Sequence, residues 1–243
     1  MVVTGGAGEG DLDCPTFSVL ATASLAKRLN SPRGFRQELP GNVVRRPVPS
    51  TRRPLERVSL TEVRRRLREG LRVPATEVER PAQTAAVLAL FGNVNSEPGV
   101  LLTRRTTSLR VHSGEVSFPG GSRERGESAV KTALREAEEE VGLAPERVEI
   151  LGVGPLGFTH SSGGRFVTVV GFVEQLSGFA ANPDEVDAVL TVPLSRLSHP
   201  NYSLTELWYR PEFGWRDMQF YDLGEDLCWG ATAAAMAKLL DLL

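Results

Sequence analysis

The sequence predicts an α/β fold on three observations. Apolar runs at Thr84–Phe91, Val100–Arg104 and Phe166–Val173 read as strands, the last a buried one. Between the second and third, Ser128–Val141 is rich in Ala, Glu, Leu and Lys, lacks Pro and Gly, and is followed by Gly142, so it reads as a helix closed by a left-handed cap. One side of that helix, with Ala129, Val130, Ala133, Leu134, Ala137 and Val141, offers small and apolar surface for packing against a sheet.

The elements follow in chain order. Residues 1–57 carry Gly5-Gly6-Ala7-Gly8, scattered prolines and no sustained periodicity, and are read as a flexible N-terminal extension; 58–243 are read as the folded domain. Ser59-Leu60-Thr61-Glu62 has the form of a capping box, opening a helix to about Arg72 with Leu60, Val63, Leu67 and Leu71 on one face and arginines on the other. Gly92–Gly99, rich in turn residues, is expected to join the first two strands. Phe118-Pro119-Gly120-Gly121 reads as a tight turn before the helix. The run Trp229–Leu243 reads as a terminal helix that packs in the core or makes a subunit contact, a homodimer being the second alternative.

A chain of 243 residues with 41% hydrophobic content can bury a sizeable core, and no apolar run approaches the ~20 residues of a membrane helix. Cys14 and Cys228 lie too far apart to suggest a zinc pattern or a disulfide framework, which fits a reducing compartment. The expected location is cytoplasmic. The mitochondrial matrix is the alternative if the basic stretch Lys27–Arg57 is a transit peptide, against which Glu9, Asp11 and Asp13 stand. Residues 1–80 hold 15 basic and 9 acidic side chains, residues 81–243 hold 13 and 21; the acidic second half argues against nucleic acid as a bulk partner.

The chemistry concentrates in Gly121–Leu143, GGSRERGESAVKTALREAEEEVGL from Gly120. On a helical wheel Glu136, Glu139 and Glu140 share one face, being at i, i+3 and i+4, while Glu138 points away. Such a cluster repels itself, and a divalent cation removes the penalty; an all-oxygen set favours a hard ion, Mg²⁺ or Mn²⁺. Arg135 could hold Glu127 by bidentate hydrogen bonds. Gly120 and Gly121 allow the backbone to approach an ion or a phosphate, with a carbonyl there as a further ligand.

The spacing Gly121, Glu127, Arg135-Glu136-Ala137, Glu139-Glu140, Gly142-Leu143 resembles a complete Nudix box, G-x5-E-x7-R-E-U-x-E-E-x-G-U, with Ala137 a mild departure at the first hydrophobic position. The resemblance implies a Nudix hydrolase on an α/β/α sandwich with a mixed sheet and a loop-helix-loop box, cleaving nucleoside diphosphates linked to another moiety with Mg²⁺ or Mn²⁺. It further implies Glu136 and Glu140 as principal metal ligands and Glu139 as a ligand or a helper in activating water. Gly121 would contribute its carbonyl, and Arg135 and Glu127 would support the others.

Upstream, LLTRRTTSLRVHSGEVSFPGG from Leu101 to Gly121 resembles L-L-T-K-R-x-x-x-L-R-x-H-x-G-x-V-x-F-P-G-G, a second signature of the Nudix enzymes that hydrolyse coenzyme A, with Arg104 in place of Lys. That likeness implies coenzyme A or acyl-CoA as the small-molecule substrate, with 3′,5′-ADP and 4′-phosphopantetheine or its acylated form as products. A ligand carrying a diphosphate and a 3′-phosphate calls for cations besides the metals, and Arg104, Arg105, Arg110 and His112 are candidates, with Phe118 and Gly120 in the same signature. For each arginine a solubilising role on an edge strand or loop is the equal alternative, and a lone histidine is more often structural. Looser likeness runs to the C-terminus through Gly164–Gly171, Asn182–Val186, Val192–Leu194 and Trp229–Thr232. Within it Glu185 reads as a solvated loop acid or a helix-terminal charge before it reads as an aid to the metal site. ADP-ribose or a nucleoside triphosphate as substrate, and a non-catalytic ligand-sensing domain, are the rival readings.

Overall fold

The structure, a computed structural model, describes residues 44–48, 54–55, 57–71, 85–106, 114–158, 164–210 and 214–243. In chain order these form β1 (Val44–Val48), α1 (Leu60–Gly70), β2 (Ala85–Val94), β3 (Glu97–Arg105), β4 (Val116–Ser117), β5 (Gly120–Ser122) and α2 (Ala129–Val141). A 3-10 turn at Pro145–Arg147 follows, then β6 (Glu149–Phe158), β7 (Arg165–Gln175), β8 (Val186–Pro193), α3 (Leu194–Ser198), β9 (Ser203–Arg210), β10 (Gly214–Asp222), β11 (Leu227–Trp229) and α4 (Gly230–Leu240).

The central seven-stranded sheet is mixed: β2 and β7 run parallel and the other pairs antiparallel. Alternation along its strands separates two apolar layers. Ala86, Leu88 and Leu90 of β2, Leu101 of β3 and Val167 and Val169 of β7 pack with Ala129, Ala133, Ala137 and Val141 of α2. Ala89 and Phe91, Val100 and Leu102, and Val170 and Phe172 face the other way, onto Val63 and Leu67 of α1, Leu194 and Leu197 of α3, and Met236, Leu239 and Leu240 of α4. The result is the expected α/β/α arrangement. The terminal apolar helix α4 is a core element.

One irregularity positions the site. β2 pairs with β3 only at Phe91–Val94. Beyond that the two strands part, and β5 takes the place beside Ala85–Val87 of β2 while β4 takes the place beside Thr103 and Arg104 of β3. The gap between parted strands holds Phe118–Gly121, pinned where the Leu88 N–H donates to the Pro119 carbonyl at 2.8 Å.

The β2–β3 connection is tighter than the sequence suggests. Both strands run on through Gly92 and Gly99, which pair with each other, and only Asn95 and Ser96 turn, each with positive φ. Gly92 and Gly99 serve close packing: a Cβ on Gly92 would lie 2.6 Å from the Val173 carbonyl oxygen, and one on Gly99 2.6 Å from Val94 Cγ1.

A second, four-stranded antiparallel sheet, β1-β9-β10-β11, has no counterpart in the sequence reading. Its β1 comes from the 1–57 stretch read as extension, pairing Val44–Val48 with Thr205–Tyr209 of β9. Leu55, from the same stretch, donates its N–H to Ser198 Oγ at 2.8 Å. Trp208, Phe220 and Leu204 form a small cluster in this sheet, while Tyr221 and Cys228 join the main core.

The α1 helix begins at Ser59, whose hydroxyl accepts the Glu62 N–H. Its arginines meet the protein's own acids: Arg64 and Arg68 bind Glu149, and Arg65 and Arg66 bind Glu62. No helix among the described residues is long and apolar enough to cross a membrane. Because Leu67 is completely buried between α1 and the sheet, Leu67→Ala is expected to cost about 2–5 kcal/mol in a urea unfolding curve. Arg65→Ala, on the exposed face, is expected to leave the midpoint nearly unchanged.

Candidate metal centre

The helix α2 has sharp ends. Ser128 Oγ accepts the Lys131 N–H, and Gly142, at φ 67°, closes the helix by donating to carbonyls of the last turn. Burying the Ala129–Ala133–Ala137 side against the sheet carries Glu140 almost wholly out of solvent, 1% exposed, while Glu136 is mostly covered. Carboxylate oxygens of Glu136, Glu140 and Glu185 come within 4.8 Å of one another, the one such acidic group among the described residues. Glu185 lies just before β8.

Glu139 stands apart from this trio. Its side chain is half exposed, and one carboxylate oxygen accepts from Arg135 Nη1 at 2.9 Å. Arg135 is the hub of the neighbouring network. Its Nε and Nη2 donate to the two oxygens of Glu127 at 3.0 and 3.2 Å, its Nη2 also donates to the Ser122 carbonyl, and Glu136 lies 2.9 Å away. The buried Glu127 further accepts from Thr132 Oγ1 at 2.8 Å and the Glu124 N–H at 3.1 Å. Arg135, with these hydrogen bonds, holds the Glu127 carboxyl down at about 2, and its own pKa is raised by the same pair.

Glu140 behaves in the opposite way. Burial pushes its carboxyl up to about 7, against the pull of Arg105 Nη1 at 3.3 Å and the Gly120 N–H at 3.3 Å. Burial likewise raises Glu136, with Arg135 opposing. Gly121 completes the enclosure, since a Cβ there would fall on the Glu136 carboxylate.

The other residues singled out by sequence are distributed unevenly. Arg105 lies on the α2 side of the sheet with Leu101 and reaches Glu140. Arg104, its neighbour, reaches Asp187 at 3.0 Å and Asp226 at 3.0 Å instead. Phe118 is 2% exposed and packs in the opposite apolar layer, away from the carboxylates. Arg110 and His112 lie outside the described residues. Glu185, which the sequence reads first as a solvated or helix-terminal charge, is brought within 4.8 Å of Glu136 and Glu140. Its signal was the turn signature Asn182-Pro183-Asp184, which delivers a loop acid to the start of a strand.

The NUDIX domain pattern matches residues 81–210 of this chain, more than half its length and the whole of the carboxylate cluster. The chain belongs to the Nudix hydrolase family. A protein of Photorhabdus laumondii named "Uncharacterized Nudix hydrolase NudL" is 37% identical over 186 residues, covering 75% of this chain and 96% of the relative. A protein of the same name from Escherichia coli is 37% identical over 145 residues, covering 59% of this chain and 74% of that protein. Among solved structures, a MutT/nudix family protein from Enterococcus faecalis aligns with a TM-score of 0.42 at 19% identity, covering 70% of this chain and 64% of that one.

The Nudix site fits a hard divalent cation by its donors: three carboxylates, one of them deeply buried, converge, and among the described residues Arg105 and one backbone N–H offset Glu140. Without a cation, the two buried acids impose opposite pH dependences. Glu140 titrates near 7 when folded against 4.5 when unfolded, so its neutral form favours the fold at low pH and stability falls as pH rises from about 4.5 to about 7. Glu127, lowered to about 2, contributes stability above 4.5 that is lost as pH falls toward 2. Melting temperatures in EDTA are therefore expected to decline between about pH 4.5 and 7, and saturating Mg²⁺ is expected to restore them most at the upper end; a flat profile would remove Glu140 as the responsible group. Gly121→Ala, by forcing Glu136 aside, is expected to abolish that Mg²⁺ stabilisation in the same melting assay.

Proposed function

We propose that this Nudix hydrolase cleaves the diphosphate of coenzyme A or acyl-CoA, giving 3′,5′-ADP and 4′-phosphopantetheine or its acylated form, with Mg²⁺ or Mn²⁺. The observation that carries this reading is where the second signature lies. Arg105 and Gly120, both within Leu101–Gly121, contact Glu140, and Gly121 packs on Glu136, so the stretch that resembles coenzyme A hydrolases borders the carboxylates.

Glu136, Glu140 and Glu185 would hold the ions, with the Gly121 carbonyl as a further oxygen. A bound divalent cation offsets the charge of the diphosphate and lowers the pKa of water. Arg135 orients Glu136 and Glu127, and Arg105 offers a guanidinium to substrate phosphate on the same side of the sheet. Attack of water on phosphorus forms a new P–O bond and breaks the anhydride bond, the leaving phosphate taking the electron pair; the chain need form no covalent bond to the substrate. Catalysis then rests on positioning and charge.

A second reading, another nucleoside diphosphate derivative such as ADP-ribose or a nucleoside triphosphate, draws on Arg104 and Phe118. Both belong to the coenzyme A signature, yet one is held by two acids and the other is buried. Incubation with coenzyme A and Mg²⁺ in H₂¹⁸O, with products identified by mass spectrometry, is expected to yield 3′,5′-ADP and 4′-phosphopantetheine with ¹⁸O in one phosphate. A faster turnover of ADP-ribose or dNTPs would decide for the second reading. Glu140→Gln is expected to lower turnover by on the order of 10²–10³ without lowering the melting temperature in EDTA at neutral pH, since the variant no longer buries an ionisable group.

A further inference from the structure

Glu185 belongs to a loop, while Glu136 and Glu140 belong to a helix, so something must fix the loop acid relative to the helical pair. The hydrogen bonds around Asn182 do this. The last carbonyls of a helix lack partners within it, and here the loop supplies them: the Asn182 N–H donates to the Glu140 carbonyl at 2.9 Å and the Ala180 N–H to the Val141 carbonyl at 3.0 Å. The Asn182 carbonyl in turn accepts from the N–H groups of Glu185 at 3.1 Å and Val186 at 2.8 Å, and its side-chain Oδ1 accepts the Asp184 N–H at 3.2 Å. From the far side, the Glu185 carbonyl accepts the Thr106 N–H at 3.0 Å, next to Arg105.

A single residue thus bonds the backbone of one acid of the trio with its N–H and the backbone of another with its carbonyl. The side-chain bond to Asp184 holds the intervening turn in the shape that brings those backbone groups together. We infer that Asn182 is a positioning residue that docks Glu185 onto the end of α2 and sets the spacing of the three carboxylates. This rests on the cation site of the proposed function and adds to it a determinant outside the Nudix box.

The test is Mn²⁺ binding to the full chain without substrate, read by electron paramagnetic resonance, alongside melting temperatures. Asn182→Ala removes the side-chain amide, and with it the Oδ1 bond to Asp184, while keeping the backbone bonds; it is expected to weaken Mn²⁺ binding roughly five- to tenfold, the loss of about one hydrogen bond, with the melting temperature in EDTA little changed. Glu185→Gln is expected to weaken it at least as much. The double variant is expected to bind no more weakly than Glu185→Gln alone, because Asn182 acts through Glu185. Asn182→Asp, which keeps the acceptor, is expected to recover most of the affinity. Wild-type affinity in Asn182→Ala, or losses that multiply in the double variant, would overturn the inference while leaving the cation site in place. If Glu140→Gln also bound Mn²⁺ like the wild type, the cation site itself would fall and this inference with it.

Discussion

Carboxylates do not collect on one side of a helix, half out of water, without something to carry their charge. In this protein Arg135 carries part of it by binding Glu127, Glu136 and Glu139 together. Glu140, drawn into the same cluster with Glu185, meets Arg105 among the described residues. The surrounding structure serves this convergence. Small residues let α2 lie close to the sheet, the parting of β2 from β3 admits the Gly120–Gly121 backbone, and the absence of a side chain at Gly121 leaves room for the Glu136 carboxylate. Each feature brings acids nearer to each other than they would settle unaided, which is the arrangement a divalent ion requires.

Much of this was legible in the residues. The glutamate helix, its glycine C-cap, its alanine face and the amphipathic α1 helix follow from local pattern, because helix periodicity and capping are decided within a few residues. The third carboxylate was less legible. Glu139 shares the helix face with Glu136 and Glu140 and seemed their natural companion, but a wheel gives only direction, and the depth of packing leaves Glu139 half exposed on Arg135. Glu185 comes near them from a loop whose turn is legible in Asn182-Pro183-Asp184, but whose docking on Glu140 and Thr106 is long-range and is not. The second sheet was missed for a related reason. On β9 the inward positions read Leu204, Glu206, Trp208, and a buried acid breaks the apolar alternation; the Trp208 indole N–H, donating to Glu206 at 2.8 Å, is one of the contacts that offset its burial.

Adjacent arginines show how strand geometry divides labour. Arg104 and Arg105 look equivalent in sequence, yet the alternation of β3, with a register irregularity against β8 between them, sends one to Asp187 and Asp226 and the other to Glu140. A signature read along a strand mixes residues that face a ligand with residues that fasten the strand, and only the pleat separates them.

The pairing of β2 with β7 has a consequence for how this chain reaches its native state. Ala85 meets Phe166, in parallel, only after the β2–β3 hairpin, the glutamate helix and β6 have been threaded between them. A parallel seam cannot be closed by a short turn, so the loop-closure entropy falls due before the contacts that repay it. Folding speed should then be governed by topology more than by the strength of any one helix, since the sheet on which α2 packs includes this long-range seam.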